Sequence, residues 1–555
     1  MTTVYCIFDG FGLQEKTPNN CIALANMPNF RNLLKNNYWT TLNADGTMVG
    51  QEEGLVGNSE VGHMNLGGLQ LVSQLSYQIT KSSEFNFQLN KKISNDQLFD
   101  PADKLKDSNT VHLVGLFSTG TIHSDLRHWI GAINSAQVAG VEKVVCHLIT
   151  DGRDSDRKSA VQTLEDFIST IPVETRSKVF LGSIGGRAYA MDRDNNFEKV
   201  YYGLQSMFGS SLVYNTEQLR EIYSINDYKT AKFIDQELTL QESLSEVKTL
   251  IEENYSRGIY DEFIEPTGFK SINEQEPIWL INFRADRMRQ MVKMVCDYNH
   301  KDQHLILAMN DYGVGEQVYQ YIFKSNPIKN NFAYYAQIEG KTQLHTAETE
   351  KYNHVTYFFN GGQDVKQGHE VWTLIPSNKV TNHSEKPEMK AAEVNQIVID
   401  SLGKYDYIVV NFANPDMVGH CGDIQAGIKS MEFLDQELGK LLSAINAGGH
   451  KMVLTADHGN MEFVGGYTLN GKELTDTEHN PSPVPMIIID SSFDKAKLIR
   501  KIELFCTKNQ IGVDIDLLKK VLIQNNVMED VWLDKSEIPK PELPLWYAGL
   551  IAFCL

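Results

Sequence analysis

The chain has 555 residues and a mass of 62.7 kDa, too much for one hydrophobic core and in the range of about two to four domains. Hydrophobic residues make up 42% and charged residues 22%, a globular balance that excludes disorder and collagen-like repeats. The net charge of −20 disfavours nucleic acid and anionic membrane as partners.

In chain order, short apolar runs alternate with longer amphipathic stretches, and many runs end on a polar residue. VYCIF leads to Asp9, HLVGLF to Ser118, VVCHLIT to Asp151 and KVFLGSIGG to Arg187. PIWLINF then reaches Arg284, YIVVNFAN leads to Asp416 and KMVLTA to Asp457. Such strands, with helical segments between them, predict an α/β architecture built on a mostly parallel sheet. Reactive groups in these sheets gather at the carboxyl ends of the strands. Residues 217–256, rich in Glu, Leu and Ser at helical spacing, predict one or two exposed amphipathic helices. The closing run LWYAGLIAFCL has eleven residues, short of the ~20 that span a bilayer, and is expected as a buried or docked tail. The opening MTTVYCIFDGFG lacks the basic start of a signal peptide. The seven cysteines are scattered without a CxxC pair, as in a cytoplasmic protein with reduced, mostly buried thiols.

Eleven of the 13 arginines lie between Arg127 and Arg289, whereas acidic and histidine clusters lie at the start and after residue 410. That order predicts two chemistries on two domains, one inserted into the other. The expected metal-binding domain is discontinuous, 1–79 and 328–555, and the expected inserted substrate-binding domain is 80–327. The crossings are placed at the polar runs SYQITKSSE, near 77–82, and FKSNPIKNN, near 323–332.

Candidate metal ligands are Asp9 in DGFG, Asp416 and His420 in NPDMVGH, Asp457 and His458 in TADHGN, and His479 in TEHNPSPVP. Ser59 in GNSEVGH joins them. Asp416 and His420 are four apart, one helical turn. This mixture of carboxylates and imidazoles suits Mn²⁺ or Zn²⁺ better than Mg²⁺. Seven ligand-type residues exceed the needs of one ordinary ion, so two divalent ions ~3.5–4 Å apart are expected, a pair suited to phosphoryl or sulfuryl transfer. Ser59, in a Gly-flanked loop ahead of an amphipathic stretch, is the candidate nucleophile at a helix N-terminus, to be converted to phosphoserine. Taken singly these residues have plainer readings. Ser59 could be a helix N-cap, His420 a structural histidine, and His63, four after Ser59, either a support for the site or part of the fold. Taken together they are costly to bury without cations.

The middle of the chain supplies His123 in STGTIHSD, Arg153 and Asp154 in TDGRDSD, Arg187 and Arg193 in GGRAYAMDR, and Arg284 and Arg287 in NFRADR. Several rigid guanidinium forks without full acidic compensation imply a small anion bearing a phosphate and a carboxylate. Asp154 and His123 could accept a hydroxyl hydrogen bond or relay a proton. Arg157, Arg176, Arg220 and Arg257 are expected in surface salt bridges, and Arg289 on a helix surface. Lys351 in AETEKY sits between acids and could simply be paired, so the residues alone give only a weak case for it in the site.

Together these motifs closely resemble the cofactor-independent phosphoglycerate mutase family, from about residue 9 to about residue 490. GNSEVGH, DGRD, GGRAYAMDR, NFRADR, AETEKYNHVTYFFNGG and LTADHGN carry the resemblance. It implies an alkaline-phosphatase-like α/β domain interrupted by a second α/β domain. It also implies interconversion of 3-phosphoglycerate and 2-phosphoglycerate, in glycolysis and gluconeogenesis, without a bisphosphoglycerate cofactor. By resemblance, Asp9, Ser59, Asp457 and His458 hold one metal and Asp416, His420 and His479 the other, with Mn²⁺ usual and Mg²⁺ or another divalent ion in some members. Ser59 takes the phosphate, Arg284 and Arg287 clamp it, and Lys351 lies near it. Arg153, Asp154, Arg187, Arg193 and His123 contact the glycerate and its hydroxyls, with Asp154 as the proton shuttle. The implied partner is a small molecule only, with the chain acting as a monomer in the cytoplasm. The chain departs from the family at GTIHSDLRH, at the SDRKSA that follows DGRD, and throughout its end beyond residue 500. A metal-dependent phosphomonoesterase or a phosphopentomutase-like enzyme on the same scaffold is the alternative, but it leaves GGRAYAMDR and NFRADR unexplained. A catalytically dead protein would have lost a ligand, and all seven are present.

Overall fold

A parallel strand covered on both faces needs apolar side chains on both. The run TVYCIF provides them, and Thr3–Phe8 is a strand in which every residue is buried. In the computed structural model it lies inside an eight-stranded sheet. Tyr407–Phe412 and Lys451–Thr455 flank it, both parallel to it. Thr342–Glu348 and His369–Ile375 continue the parallel set beyond Tyr407–Phe412. On the other side Val484–Ile489 runs antiparallel to both Lys451–Thr455 and Tyr38–Asn43, and the short Leu543–Pro544, parallel to Tyr38–Asn43, closes the edge. The structure describes residues 1–94, 96–209, 216–226, 228–298, 304–314, 318–469, 472–523 and 538–555.

The chain forms two compact units, Met1–Gln74 with Pro327–Leu555, and Leu75–Asn326. The polar run near 77–82, expected as a crossing, belongs instead to the helix Leu75–Ser83. Its hydroxyls are buried without penalty because they return hydrogen bonds: Thr80 Oγ1 to Ser76 O (3.1 Å), Ser83 Oγ to Thr80 O (2.7 Å) and Ser82 Oγ to Gln97 Oε1 (3.2 Å). Polarity there marks hydrogen bonding, not exposure.

The second unit has its own eight-stranded sheet. Gln320–Tyr321, Ile306–Ala308, Ile278–Leu280, Thr110–Phe117, Lys143–Thr150 and Val179–Gly186 are parallel and adjacent in that order. Thr267–Gly268 and Lys232–Phe233 finish the sheet, the former antiparallel to Val179–Gly186. Within 217–256 lie the helix Leu244–Ser256, which buries Val247, Leu250 and Ile251, and most of Thr216–Ile222. Asp227 is outside the described residues.

The closing helix Tyr547–Cys554 is buried along its whole length. Phe553 stacks on Tyr407 with centroids 5.5 Å apart, and Tyr407 Oη donates to the Phe553 carbonyl at 2.9 Å. Each such side chain removed from water stabilises the unit by about 1.5–3 kcal/mol. Gly549 comes so close to the Leu66 carbonyl that a Cβ would lie 1.9 Å from it. All seven cysteines are free, and all but Cys421 are buried. Among the described residues no helix is long and apolar enough to cross a membrane.

Candidate active site

Neighbouring strands lie about 4.8 Å apart, so residues that follow the carboxyl ends of adjacent parallel strands emerge side by side. Four consecutive strands of the first unit use this. In sheet order, Lys351 follows Thr342–Glu348, Asp416 follows Tyr407–Phe412, Asp9 follows Thr3–Phe8 and Asp457 follows Lys451–Thr455. The loops meet closely. Gly10 has φ +72°, and a Cβ on it would lie 2.8 Å from Asp416 Cα, so a side chain is excluded by both strain and space.

Ser59 opens the helix Ser59–Gly68, but it is not the cap: Asn58 accepts from Val61 N at 3.0 Å. The serine hydroxyl therefore serves the site. Its Oγ lies 3.1 Å from Asp9 Oδ1 and 2.9 Å from His458 Nε2, and it accepts from Lys351 Nζ at 2.6 Å. Lys351 Nζ also lies 2.7 Å from Asp9 Oδ1 and 2.6 Å from Asp416 Oδ2. Its partners are these distant carboxylates, not the acids beside it in sequence. Burial opposes its charge, but Asp416, Asp9 and Asp457 outweigh burial and raise its pKa, so it stays an ammonium. Burial also opposes the charge of Asp416, yet Lys351 and the hydrogen bonds of His420 and His479 hold it well below the usual carboxylate range. Asp9 is raised, by burial first and then by Asp457.

The histidines form a donor set for a cation. His420 Nδ1 faces Thr477 O at 2.6 Å and His479 Nδ1 faces Gly57 O at 2.9 Å. Carbonyls only accept, so both rings carry their proton on Nδ1. Their Nε2 atoms lie 3.2 and 3.1 Å from Asp416 Oδ1 and 3.1 Å from each other. Two imidazole nitrogens converging on one carboxylate oxygen suit a divalent ion. His458 stands between the carboxylates, 3.4 Å from Asp457 Oδ2 and 4.0 Å from Asp416 Oδ1. Among the described residues two clusters have metal-ligand geometry, Asp416 with His458 and His479, and Asp9 with His63 and Asp457. Three buried carboxylates around one ammonium leave net negative charge, and the chemistry of the set fits two divalent ions. Sequence reasoning left His63 undecided and missed Asn411, which donates to Asp9 Oδ2 at 2.6 Å. The available signal was a polar residue inside the apolar run YIVVNF.

The second unit repeats the device. Arg284 and Arg287 follow Ile278–Leu280, His123 follows Thr110–Phe117, Arg153 and Asp154 follow Lys143–Thr150, and Arg187 follows Val179–Gly186. Arg187 is only 2% exposed. One of its terminal nitrogens donates to Asp151 Oδ1 and Asp154 Oδ2, each at 2.5 Å, while its buried Nε has no hydrogen-bond partner among the described residues. Asp151, which the sequence reading noted only as a strand end, also accepts from Ser118 Oγ at 2.5 Å and from the Arg153 and Asp154 amides. Asp286 gathers Arg193 at 3.2 Å, Arg284 at 3.7 Å and His123 at 3.6 Å. Arg153 lies 3.6 Å from Glu262, and Arg287 donates to Met191 O at 3.4 Å. Burial lowers the Arg287 pKa, helped by the fields of Arg187, Arg193 and Arg153, which records how closely these cations gather. Burial and then Arg187 lower His123 to about 4, so it is neutral at pH 7, and its buried Nδ1 has no hydrogen-bond partner among the described residues. Of the arginines given plain readings, Arg257 pairs with Glu265 at 2.9 Å. Arg176, Arg220 and Arg289 instead donate to the carbonyls of Ile171, Ile225 and Tyr312. They hold turns of the backbone, where salt bridges were expected for the first two.

The Metalloenzyme superfamily model matches residues 1–515. A 2,3-bisphosphoglycerate-independent phosphoglycerate mutase of Clostridioides difficile strain 630 is 36% identical over 512 residues, covering 89% of this chain and 92% of the relative. The chain belongs to this mutase family. A Mycoplasma mobile relative of the same name is 34% identical over 509 residues, with 88% and 92% covered. The crystal structure of Leishmania mexicana phosphoglycerate mutase at low cobalt concentration aligns with TM-score 0.55 and 25% identity over 89% of this chain and 90% of that one. In this mutase the strand ends of the first unit carry the two metal-type clusters, and those of the second carry the arginines.

Proposed function

We propose that the chain is an isomerase that interconverts 3-phosphoglycerate and 2-phosphoglycerate by moving the phosphoryl group through Ser59. The observation that carries this reading is the placement of Ser59 Oγ, in hydrogen-bond reach of Asp9, His458 and Lys351 at once. An oxygen set between acceptors and an ammonium can yield its proton to the one side and have its negative charge stabilised by the other.

Asp9, Ser59, Asp457 and His458 would hold one divalent ion and Asp416, His420 and His479 the other, with Mn²⁺ the ion best suited to this ligand set. When bound, such a pair neutralises charge on the phosphoryl group and favours ionisation of the serine. Ser59 Oγ forms a bond to phosphorus as the ester bond to the glycerate oxygen breaks, leaving phosphoserine and glycerate. The departing oxygen takes a proton, and Asp154 is the proposed shuttle, with His123 Nε2 3.8 Å from it. The other glycerate hydroxyl gives up its proton, attacks phosphorus and restores Ser59. Lys351 donates to the phosphoryl oxygens. Arg284 and Arg287 clamp the phosphate, while Arg153, Arg187 and Arg193 hold the carboxylate and His123 a hydroxyl. Ser59 is itself the carrier, so the scheme needs no bisphosphoglycerate. We place a monomer acting on this small molecule in the cytoplasm, a compartment suited to its free thiols.

The test is to incubate the protein with 3-phosphoglycerate and Mn²⁺ and follow products by ³¹P NMR. The expected product is 2-phosphoglycerate with little inorganic phosphate. Predominant hydrolysis would favour the phosphomonoesterase alternative. Ser59→Ala should retain the fold and form no phosphoenzyme in quenched mixtures, and label on that variant would refute the carrier role.

A further inference from the structure

His63 lies in the second metal-type cluster, with Asp9 and Asp457, but its hydrogen bonds decide which ring nitrogen holds the proton. Nδ1 is 2.9 Å from the Ser59 carbonyl, which can only accept, so Nδ1 donates. Nε2 is 3.0 Å from Asn411 Nδ2. The same amide nitrogen donates to Asp9 Oδ2 at 2.6 Å. Reversing the amide would set its oxygen against the Asp9 carboxylate, so the orientation is determined. One amide hydrogen serves Asp9 and the other serves His63 Nε2. Both ends of the ring agree on a proton at Nδ1 and a lone pair at Nε2 that Asn411 already uses.

We propose that His63 is a positioning residue and not a metal ligand: its Nδ1–H goes to the Ser59 carbonyl with Asp457 Oδ2 3.1 Å from the same nitrogen, and Asn411 locks that tautomer. The ring is fully buried, and His354 packs on it with centroids 5.5 Å apart, so it cannot turn to offer another nitrogen. Through it, one N–H pins the first turn of the helix that carries the nucleophile and sets its positive edge beside a metal-ligating carboxylate. Asn411 orients Asp9 and His63 together. The inference rests on the reading of this centre as a divalent-ion site.

The test uses full-length, chelator-stripped protein and Mn²⁺ alone, titrated calorimetrically. In His63→Asn the amide nitrogen stands close to where Nδ1 was, and it can donate but cannot ligate. Outer-shell donors of this kind are worth about 10–100-fold in metal affinity. His63→Leu should therefore bind Mn²⁺ about 10–100-fold more weakly than wild type, and His63→Asn should stay within about threefold with unchanged stoichiometry. Equal loss of one ion in both variants would make His63 a ligand and overturn the proposal. A second measurement does not depend on either variant folding. Histidine ¹⁵N spectra of the wild type, with and without Zn²⁺, should show a proton on His63 Nδ1 in both states. An unprotonated, metal-shifted Nδ1 would overturn the proposal. If the wild type binds no Mn²⁺, the divalent-ion reading fails, and the ring tautomer still decides this one.

Discussion

Glu462 ties together two loops of the metal centre, and its titration gives a stability change whose sign and size follow from its surroundings. Its Oε2 accepts from Gly12 N at 3.1 Å, in the loop that begins at Asp9, and from Asn460 N at 2.9 Å, in the loop that begins at Asp457. Burial, only partly offset by the Ser482 side chain and by backbone amides, pushes its pKa from 4.5 up to about 7. The folded chain thus holds a proton on Glu462 over a pH range in which the unfolded chain has lost it. Stability from this group is fully present below pH 4.5 and is lost as pH rises through 7. The gap corresponds to about 3 kcal/mol. Glu462→Gln removes the titration at similar shape, so its own cost does not vary with pH. Urea unfolding of wild type and variant, at matched divalent-ion content, reads the difference. The stability of wild type relative to Glu462→Gln should fall by about 3 kcal/mol between about pH 4.5 and 7.5. A constant difference, or one that grows with pH, would mean that the buried carboxylate is charged in the folded state and would refute the reasoning.

Two further outcomes are expected. Arg187→Met leaves Asp151 and Asp154 facing each other without their shared cation, and removing one partner of a buried pair costs about 3–5 kcal/mol. Thermal unfolding should show that loss, with a raised KM for phosphoglycerate, and an unchanged melting profile would contradict the pairing. Stripping divalent ions with a chelator should abolish mutase activity and lower the melting temperature, and Mn²⁺ should restore both. At a hundredfold excess over Kd each ion stabilises by about 2.7 kcal/mol, so a profile insensitive to chelator and to Mn²⁺ would count against a metal centre.

Much of the site is legible in the sequence for a specific reason. A parallel strand buried on both faces is written as an unbroken apolar run, so the first polar residue after it marks both the strand end and the rim where ligands gather. Asp9, Arg187 and Asp457 stand out that way, and each follows its strand as expected. Lys351 did not, because sequence neighbours are not spatial ones. Glu348, three residues before it, bonds Ser377 Oγ and Lys390 N, while Lys351 reaches Asp9 and Asp416 across the sheet. The helix Leu75–Ser83 was hidden by the opposite error, since its buried hydroxyls look like a linker until their partners are known.

Asn411 shows where sequence reasoning must stop. It sits inside a strand whose every residue is buried, where composition says only that a polar group there needs partners. Which partners it has depends on Asp9 from the adjacent strand and on His63 from a helix some 350 positions away in the chain. The register places Asn411 opposite Ile7, one pair short of Phe8 and two short of Asp9. That offset lets one amide reach the carboxylate at the strand end and the imidazole behind it. Shifting the register by one residue would turn the side chain to the other face of the sheet and leave both Asp9 and His63 without their donor. The information is therefore in the pairing of strands, which no single run of letters carries.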